Sequence, residues 1–390
     1  MIELGIDEVT LVLQLQDKTK LHSNNAFQWD SEARNIIFDF ENLSNIVGIL
    51  GEANYDINAP EGYTVAMTYG VHNFYFCVAF HPLQPVMGVI VKFSAQSLDY
   101  YLDKTKIKLY NFLQIINASS IYNLSCLRID LTADYYNEII NVTTIYRDLE
   151  NERIALFRQY LSKQTGELCF RKTKLVYQGI IKQNEIPTIY IGSSKSNARL
   201  RIYNKKREQI EKTGTKYQRA IDSIDWTRFE CVLRHRFALQ FVEALLSVED
   251  DNEYADMIAR TILQKFTFFY VENGVIEKET EYTKKLVDSI EDEYLVLRSP
   301  SSRNFDLDKS IYHLFYGSGY ISVLKKIKAI FGGQAVITFL EYVADNLDHF
   351  DTSVDCLLWM KKNVSDYKKI HTDFKCYLDS VIKFIEEKRS

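Results

Sequence analysis

The sequence is short of the residues that mark several common protein classes. Only 15 Gly and 5 Pro occur in 390 residues, too few for long flexible or polyproline linkers. The six cysteines (Cys77, Cys126, Cys169, Cys231, Cys356, Cys376) include no C-x-x-C pair. That argues against a disulfide framework or a cysteine-type zinc site, and a reducing cytoplasm is the expected location. No apolar run is long enough to span a bilayer, so no membrane partner is expected. Glu3, Asp7 and Glu8 spoil the basic start that a signal peptide needs. What remains is 46% hydrophobic and 25% charged, which is ordinary for a soluble globular chain of two or three domains. A net charge of -5 implies no general affinity for polyanions, so the distribution of charge matters more than its sum. Between Lys195 and Lys216 eight Lys/Arg stand against two Glu, a local +6.

Periodicity predicts an α+β fold. Its N-terminal domain is an antiparallel sheet with packed helices, and an all-α C-terminal region follows. Strands are expected at Ile6–Leu15, Asn35–Asn42, Gly88–Ser94, Leu124–Asp134, near Leu168–Arg171, and at Trp226–Leu233, the last of them. Tyr63–His81 reads as a hairpin turning at residues 69–73. Helices are expected from about Ser97, over Lys106–Ser119 and Val142–Ser162, and, as helix or turn, over Asn204–Lys216. Further helices are expected at Phe237–Val248, Tyr254–Phe268, Ser310–Phe331, Gln334–Leu347, Cys356–Val364 and Phe374–Lys388. The loosely patterned residues 274–292 and the Ser299–Ser302 turn place the domain limits at 1–273 and 274–390.

The most informative stretch is Thr188–Arg207, TIYIGSSKSNARLRIYNKKR. Gly192, Ser193, Ser194 and Asn197 supply turn chemistry between two alternating segments. In the second segment Leu200 and Ile202 point one way; Arg199, Arg201, Tyr203 and Lys205 point the other. Two more strands repeat the theme: Arg128-x-Asp130 and Arg228-x-Glu230 each put an arginine and an acid on one face. Taken singly, such pairs are ordinary cross-strand salt bridges and a basic run is a solvated surface. If the three strands are neighbours, their polar faces form one surface. Asp130, Glu230 and Asp134 are then hard oxygen donors for Mg2+ or Mn2+. Arg201, Lys205 and Arg199 can neutralise a phosphate, and Tyr203 can attack phosphorus. Lys195, Lys206, Arg207, Arg128 and Arg228 would extend that phosphate-facing surface into one suited to binding DNA. Tyr190 has no comparable charged company in the sequence.

These motifs resemble the Rep_trans replication initiation factors, which include rolling-circle plasmid initiators and relaxases of some integrative conjugative elements. The hairpin is similar to the family's Y-[IF]-G-turn followed by R-[IF]-Y-x-K. Arg128-Ile129-Asp130-Leu131 is similar to its R-[IL]-D-L strand, and Trp226–Glu230 to its W-x-R-x-E strand. The resemblance spans about Ile6–Asn273. It implies that Tyr203 is the DNA-nicking nucleophile and that Asp130 and Glu230 help hold a metal. Many members carry a second Glu where this chain has Val232, and Asp134 is a possible substitute. The family implies a double-stranded origin with an exposed single-stranded nick site. It also implies a 5′-phosphotyrosyl link, a 3′-OH primer, a host helicase and DNA polymerase, and a homodimer. No His-hydrophobic-His pair occurs among the seven histidines, so the His-ligated site of the other large nicking superfamily is not expected. The alternatives are a conjugative relaxase of the same chemistry, whose added N-terminal helix-turn-helix is not seen before Ile6, and a non-catalytic origin-binding protein. The C-terminal helices are expected to serve DNA recognition or oligomerisation.

Overall fold

The computed structural model describes residues 2–16, 26–55, 59–60, 62–70, 76–161, 168–182, 184–273, 275–290, 307, 311, 314–315, 320–350, 360, 364, 367–368 and 373–387. One compact unit comprises Met1–Tyr160 with Cys169–Leu297, and a second comprises Leu161–Leu168 with Arg298–Ser390.

The first unit is built on nine antiparallel strands: β1 (Ile2–Leu15), β2 (Val65–Tyr69), β3 (Phe76–Phe80), β4 (Val89–Phe93), β5 (Tyr122–Tyr136), β8 (Tyr177–Lys182), β9 (Glu185–Ile191), β10 (Ala198–Asn204) and β11 (Trp226–Arg234). Their order is β2-β3-β4-β1-β5-β11-β10-β9-β8. A smaller sheet holds β6 (Ile154–Leu161), β7 (Leu168–Lys172), β12 (Thr267–Glu272) and β13 (Val275–Glu279) in the order β13-β12-β6-β7. β5 and β11 lie in the middle of the large sheet, and their apolar set (Ile129, Leu131, Ala133, Phe229, Cys231, Leu233) is buried in the main core. At the other end Phe40, Phe76, Phe93, Tyr101 and Phe112 form a ring cluster, with Phe76 and Phe93 centroids 4.3 Å apart. Fully burying a side chain of that size contributes roughly 1.5–3 kcal/mol.

The structure departs from the sequence pattern in four places. Asn35–Asn42 lies within the helix α1 (Ala26–Ser44), not a strand. Within eight residues it alternates, but Trp29, Ala33, Ile36, Ile37 and Phe40 are all buried, which is the spacing of one helical face. Phe38, which alternation would bury beside Phe40, is exposed. Helix Val142–Ser162 splits into α5 (Val142–Glu150), capped by Asn141 Oδ1 accepting from the Thr144 amide at 3.1 Å, and strand β6. Glu152, with φ 53°, makes the break. Residues 177–182, for which periodicity predicts no element, form the edge strand β8. Trp226–Leu233 is not the last strand: the helix expected over Tyr254–Phe268 spans Asp251–Lys265 instead, and β12 and β13 follow.

The short helix α2 (Ile46–Leu50) follows α1; after β4 come α3 (Ala95–Thr105), capped by Ser94, and α4 (Leu109–Asn117). Two short helices, α6 (Lys205–Glu211) and α7 (Tyr217–Asp222), follow β10, and Arg236–Leu245 follows β11. The second unit is helical where described, at Tyr320–Phe331, Gly333–Asp345 and Phe374–Glu387. The turn at 71–73, the Ser299–Ser302 turn and most of Cys356–Val364 lie outside the described residues.

Candidate nucleic-acid cleavage site

Cross-strand register lays the polar residues out as a grid on one sheet face. One row runs Thr188 (β9), Tyr203 (β10), Arg228 (β11), Asp134 (β5). The next runs Tyr190, Arg201, Glu230, Thr132, and the third Arg199, Val232, Asp130, Glu8. The three strands singled out by sequence are therefore direct neighbours. The tight end of the β9–β10 hairpin depends on Gly192 at φ 96°, where an added Cβ would come 3.4 Å from the Ala198 carbonyl. Arg234 pins that turn, donating from Nη1 to the Ser194 carbonyl at 2.7 Å.

Tyr203 is only 4% exposed, and its Oη donates to Glu230 Oε2 at 3.2 Å. Arg201 donates to the same carboxylate oxygen and lays its guanidinium 4.2 Å from the Tyr203 ring centre. Lys205 stands 5.5 Å from that ring, but as the first residue of α6 rather than as a strand residue, and it pairs with Glu208 at 2.6 Å. Burial, then the Glu230 charge, pushes the Tyr203 phenol far above its usual range. Burial also raises the Glu230 carboxyl; Arg201 opposes the shift, while Asp130 and Asp7 add to it. The pair is thus a neutral phenol hydrogen-bonded to an unusually basic carboxylate.

Asp130 is held bidentately by Arg128, at 2.9 and 2.6 Å. Burial nonetheless pushes its carboxyl up to about 6, with Glu8 and Asp7 adding to the shift against Arg128. Asp134, expected as a further metal ligand, has both oxygens bound by Arg228 at 2.7 Å and Oδ1 also by Trp226 Nε1 at 2.7 Å. Asp7 and Glu8 joined the site unannounced by the sequence reading. A register shift between Ile6 and Glu8 inserts an extra residue in β1. Strict alternation would put the two acids on opposite faces; the bulge lets Asp7 reach Arg228 at 2.5 Å and Glu8 reach Arg128 at 2.9 Å. Burial raises the Asp7 carboxyl, but Arg228 and Lys205 pull it net below its usual value.

The basic run is mostly spent internally. Arg207 pairs with Glu185 and Glu211, Lys212 with Glu208, and Lys216 with Asp99; Lys206 Nζ donates to the Ser223 and Ile224 carbonyls. Arg128 and Arg228 are likewise committed to acids. Of the eight cations between Lys195 and Lys216, only Lys195 and Arg199 lack an oxygen partner among the described residues. Tyr190 does have charged company, a correction: Arg199 lies 4.3 Å from its ring centre. The β9–β10 pairing makes this contact, which no sequence spacing displays.

The donor chemistry fits a hard divalent cation. Asp7, Glu8, Asp130 and Glu230 come from three adjacent strands, and the buried Glu8 Oε1 has the Arg128 guanidinium 2.9 Å away as its charge partner but no aligned hydrogen bond among the described residues. In this structure arginines hold each of the four, and no three His, Cys, Asp or Glu among the described residues converge on a metal position.

Residues 125–335, more than half of the chain, match the family model Rep_trans, replication initiation factor. Among solved structures, a rolling circle replication initiator protein from Geobacillus stearothermophilus is similar in fold. Its TM-score is 0.50 at 16% identity, covering 74% of this chain and 97% of that one. No curated protein matches.

Proposed function

The chain belongs to the Rep_trans replication initiation factors, and from that premise we propose that it starts rolling-circle replication by nicking one strand of origin DNA through Tyr203. The observation that carries this reading is the Tyr203–Glu230 hydrogen bond beside Arg201. A buried phenol cannot ionise unaided near neutral pH, so it needs a base in contact. Glu230 is that base, and burial makes it a stronger one than an ordinary carboxylate.

In the reaction the Tyr203 Oη proton passes to Glu230 as Oη bonds to phosphorus. The bond from phosphorus to the 3′ oxygen breaks, and that oxygen takes up a proton from solvent to leave a 3′-OH. The 5′ side stays on Tyr203 as a phosphotyrosyl ester. Arg201 already sits between carboxylate and ring, placed to shift its charge to a phosphate as Glu230 is protonated. Asp7, Glu8, Asp130 and Glu230 would hold a bound Mg2+ or Mn2+, whose charge offsets that on the phosphoryl oxygens. Asp134, saturated by Arg228 and Trp226, serves to hold Arg228 in place rather than to bind a cation. The free 3′-OH primes a host polymerase, with a helicase unwinding ahead, in the cytoplasm. The helical C-terminal region serves origin recognition or dimerisation. No helix among the described residues is long and apolar enough to cross a membrane.

The test is incubation of the chain with supercoiled plasmid carrying its origin and Mg2+ or Mn2+. Nicked circles bearing covalent protein are expected, and none with Tyr203→Phe. A non-catalytic origin-binding protein would leave the plasmid supercoiled.

A further inference from the structure

The polar face changes character from its centre to its edge. Over β5 and β11 it is buried and its charges are paired. Over β8, β9 and β10 it opens: Gln178 and Ile180 are exposed, and Thr188, Tyr190, Arg199 and Arg201 are half-buried. Gln178 stands directly across from Tyr190, and Tyr190 across from Arg201, so the open part is one continuous strip leading to Tyr203.

On that strip two N–H donors find no acceptor among the described residues: the Nε atoms of Arg199 and Arg201 are both buried without a hydrogen-bond partner there, although neighbouring cations are matched to acids. Arg199 makes no ion pair among the described residues; what it has is the Tyr190 ring, 4.3 Å away. An arginine stacked on a tyrosine presents a flat, cationic, π-rich surface. That surface accepts the face of a base and the charge of its phosphate together. Ile180, 45% exposed on the same face, adds apolar area for a base or sugar. Arg199 lies four residues from Tyr203 on one strand, roughly 13 Å away.

We propose that the open strip of β8–β10 is a platform for single-stranded DNA, with Arg199 and Tyr190 as the seat on which a base flanking the scissile phosphate stacks. The inference rests on the nicking reading for its substrate. Duplex DNA suits the strip poorly, because paired bases do not offer their faces to a stacking pair.

The experiment is a fluorescence-anisotropy titration of the full chain, in a Tyr203→Phe background with EDTA so that nothing is cleaved. The probe is a labelled mixed-sequence single strand of roughly 12 nucleotides, with the blunt duplex of the same sequence beside it. Tyr190→Leu and Arg199→Leu are each expected to weaken single-strand binding about 5- to 100-fold, the range of one base stack, while duplex binding changes less than twofold. Unchanged single-strand binding, or equal loss on the duplex, overturns the proposal. Should either variant misfold, photo-crosslinking decides with unsubstituted residues: a single strand bearing 5-iododeoxyuridine is expected to link to Tyr190, and crosslinks confined elsewhere overturn it. Because the titration needs no cleavage, the two readings fail separately. Plasmid nicking that survives Tyr203→Phe would remove the nicking assignment and leave the platform's binding result standing.

Discussion

In the proposed reaction Glu230 accepts the Tyr203 proton, holds Arg201 and shares in holding a metal, and all three roles depend on its charge. Glu230→Gln keeps the shape and loses the base. Nicking of supercoiled origin DNA is expected to slow about 10²- to 10⁴-fold, the usual worth of a positioned base, with single-strand binding retained in the anisotropy titration. Asp130 offers a test of the same electrostatics through stability. Its carboxyl sits at about 6 in the folded chain against 3.8 ordinarily, so between those values the folded state holds the extra proton. Stability of the metal-free protein should therefore fall as pH rises from about 4 to 6, by up to about 3 kcal/mol from this group. Asp130→Asn should flatten that part of the urea-melt pH profile. Asp7 works in the opposite sense: its lowered value contributes stability above the unfolded value that is lost as pH falls. The decline above pH 4 is thus not its doing.

At the scale of strands, the polar face was legible because alternation survives in β10 and β11, where Arg201, Tyr203, Arg228 and Glu230 share a side. Asp7 was not legible, since a bulge in β1 is visible only once that strand is paired with β5. Asn35–Asn42 misled for a related reason, its eight residues alternating by accident inside a nineteen-residue helix. The partners of the basic run were hidden as well: Glu185 and Asp99 are distant in sequence from Arg207 and Lys216. The centre of the sheet is held by Arg228, 2% exposed between Asp7 and Asp134. Removing one member leaves buried charge unpaired, so Arg228→Ala should destabilise the chain by about 3–5 kcal/mol in chemical denaturation.

For the molecule as a whole, a net charge of -5 and an internally paired basic run limit what electrostatics can contribute to DNA affinity. The salt dependence of single-strand binding should be shallow for a chain with eight cations in that run. Lys195→Ala and Arg199→Ala should each reduce the slope by about 0.7, and Lys212→Ala should not change it. The α+β plan and the antiparallel sheet follow from periodicity, whereas the second sheet joins strands more than a hundred residues apart and no local pattern reveals that pairing. Strand transfer in this mechanism turns on one oxygen atom, the Tyr203 Oη. Origin DNA and protein can be incubated with Mg2+ or Mn2+, the covalent complex digested with nuclease and protease, and the nucleotide-bearing peptide sequenced by mass spectrometry. The phosphonucleotide is expected on Tyr203; its recovery on Tyr190 or another residue, or nicking with no covalent adduct, would rule out Tyr203 as the nucleophile.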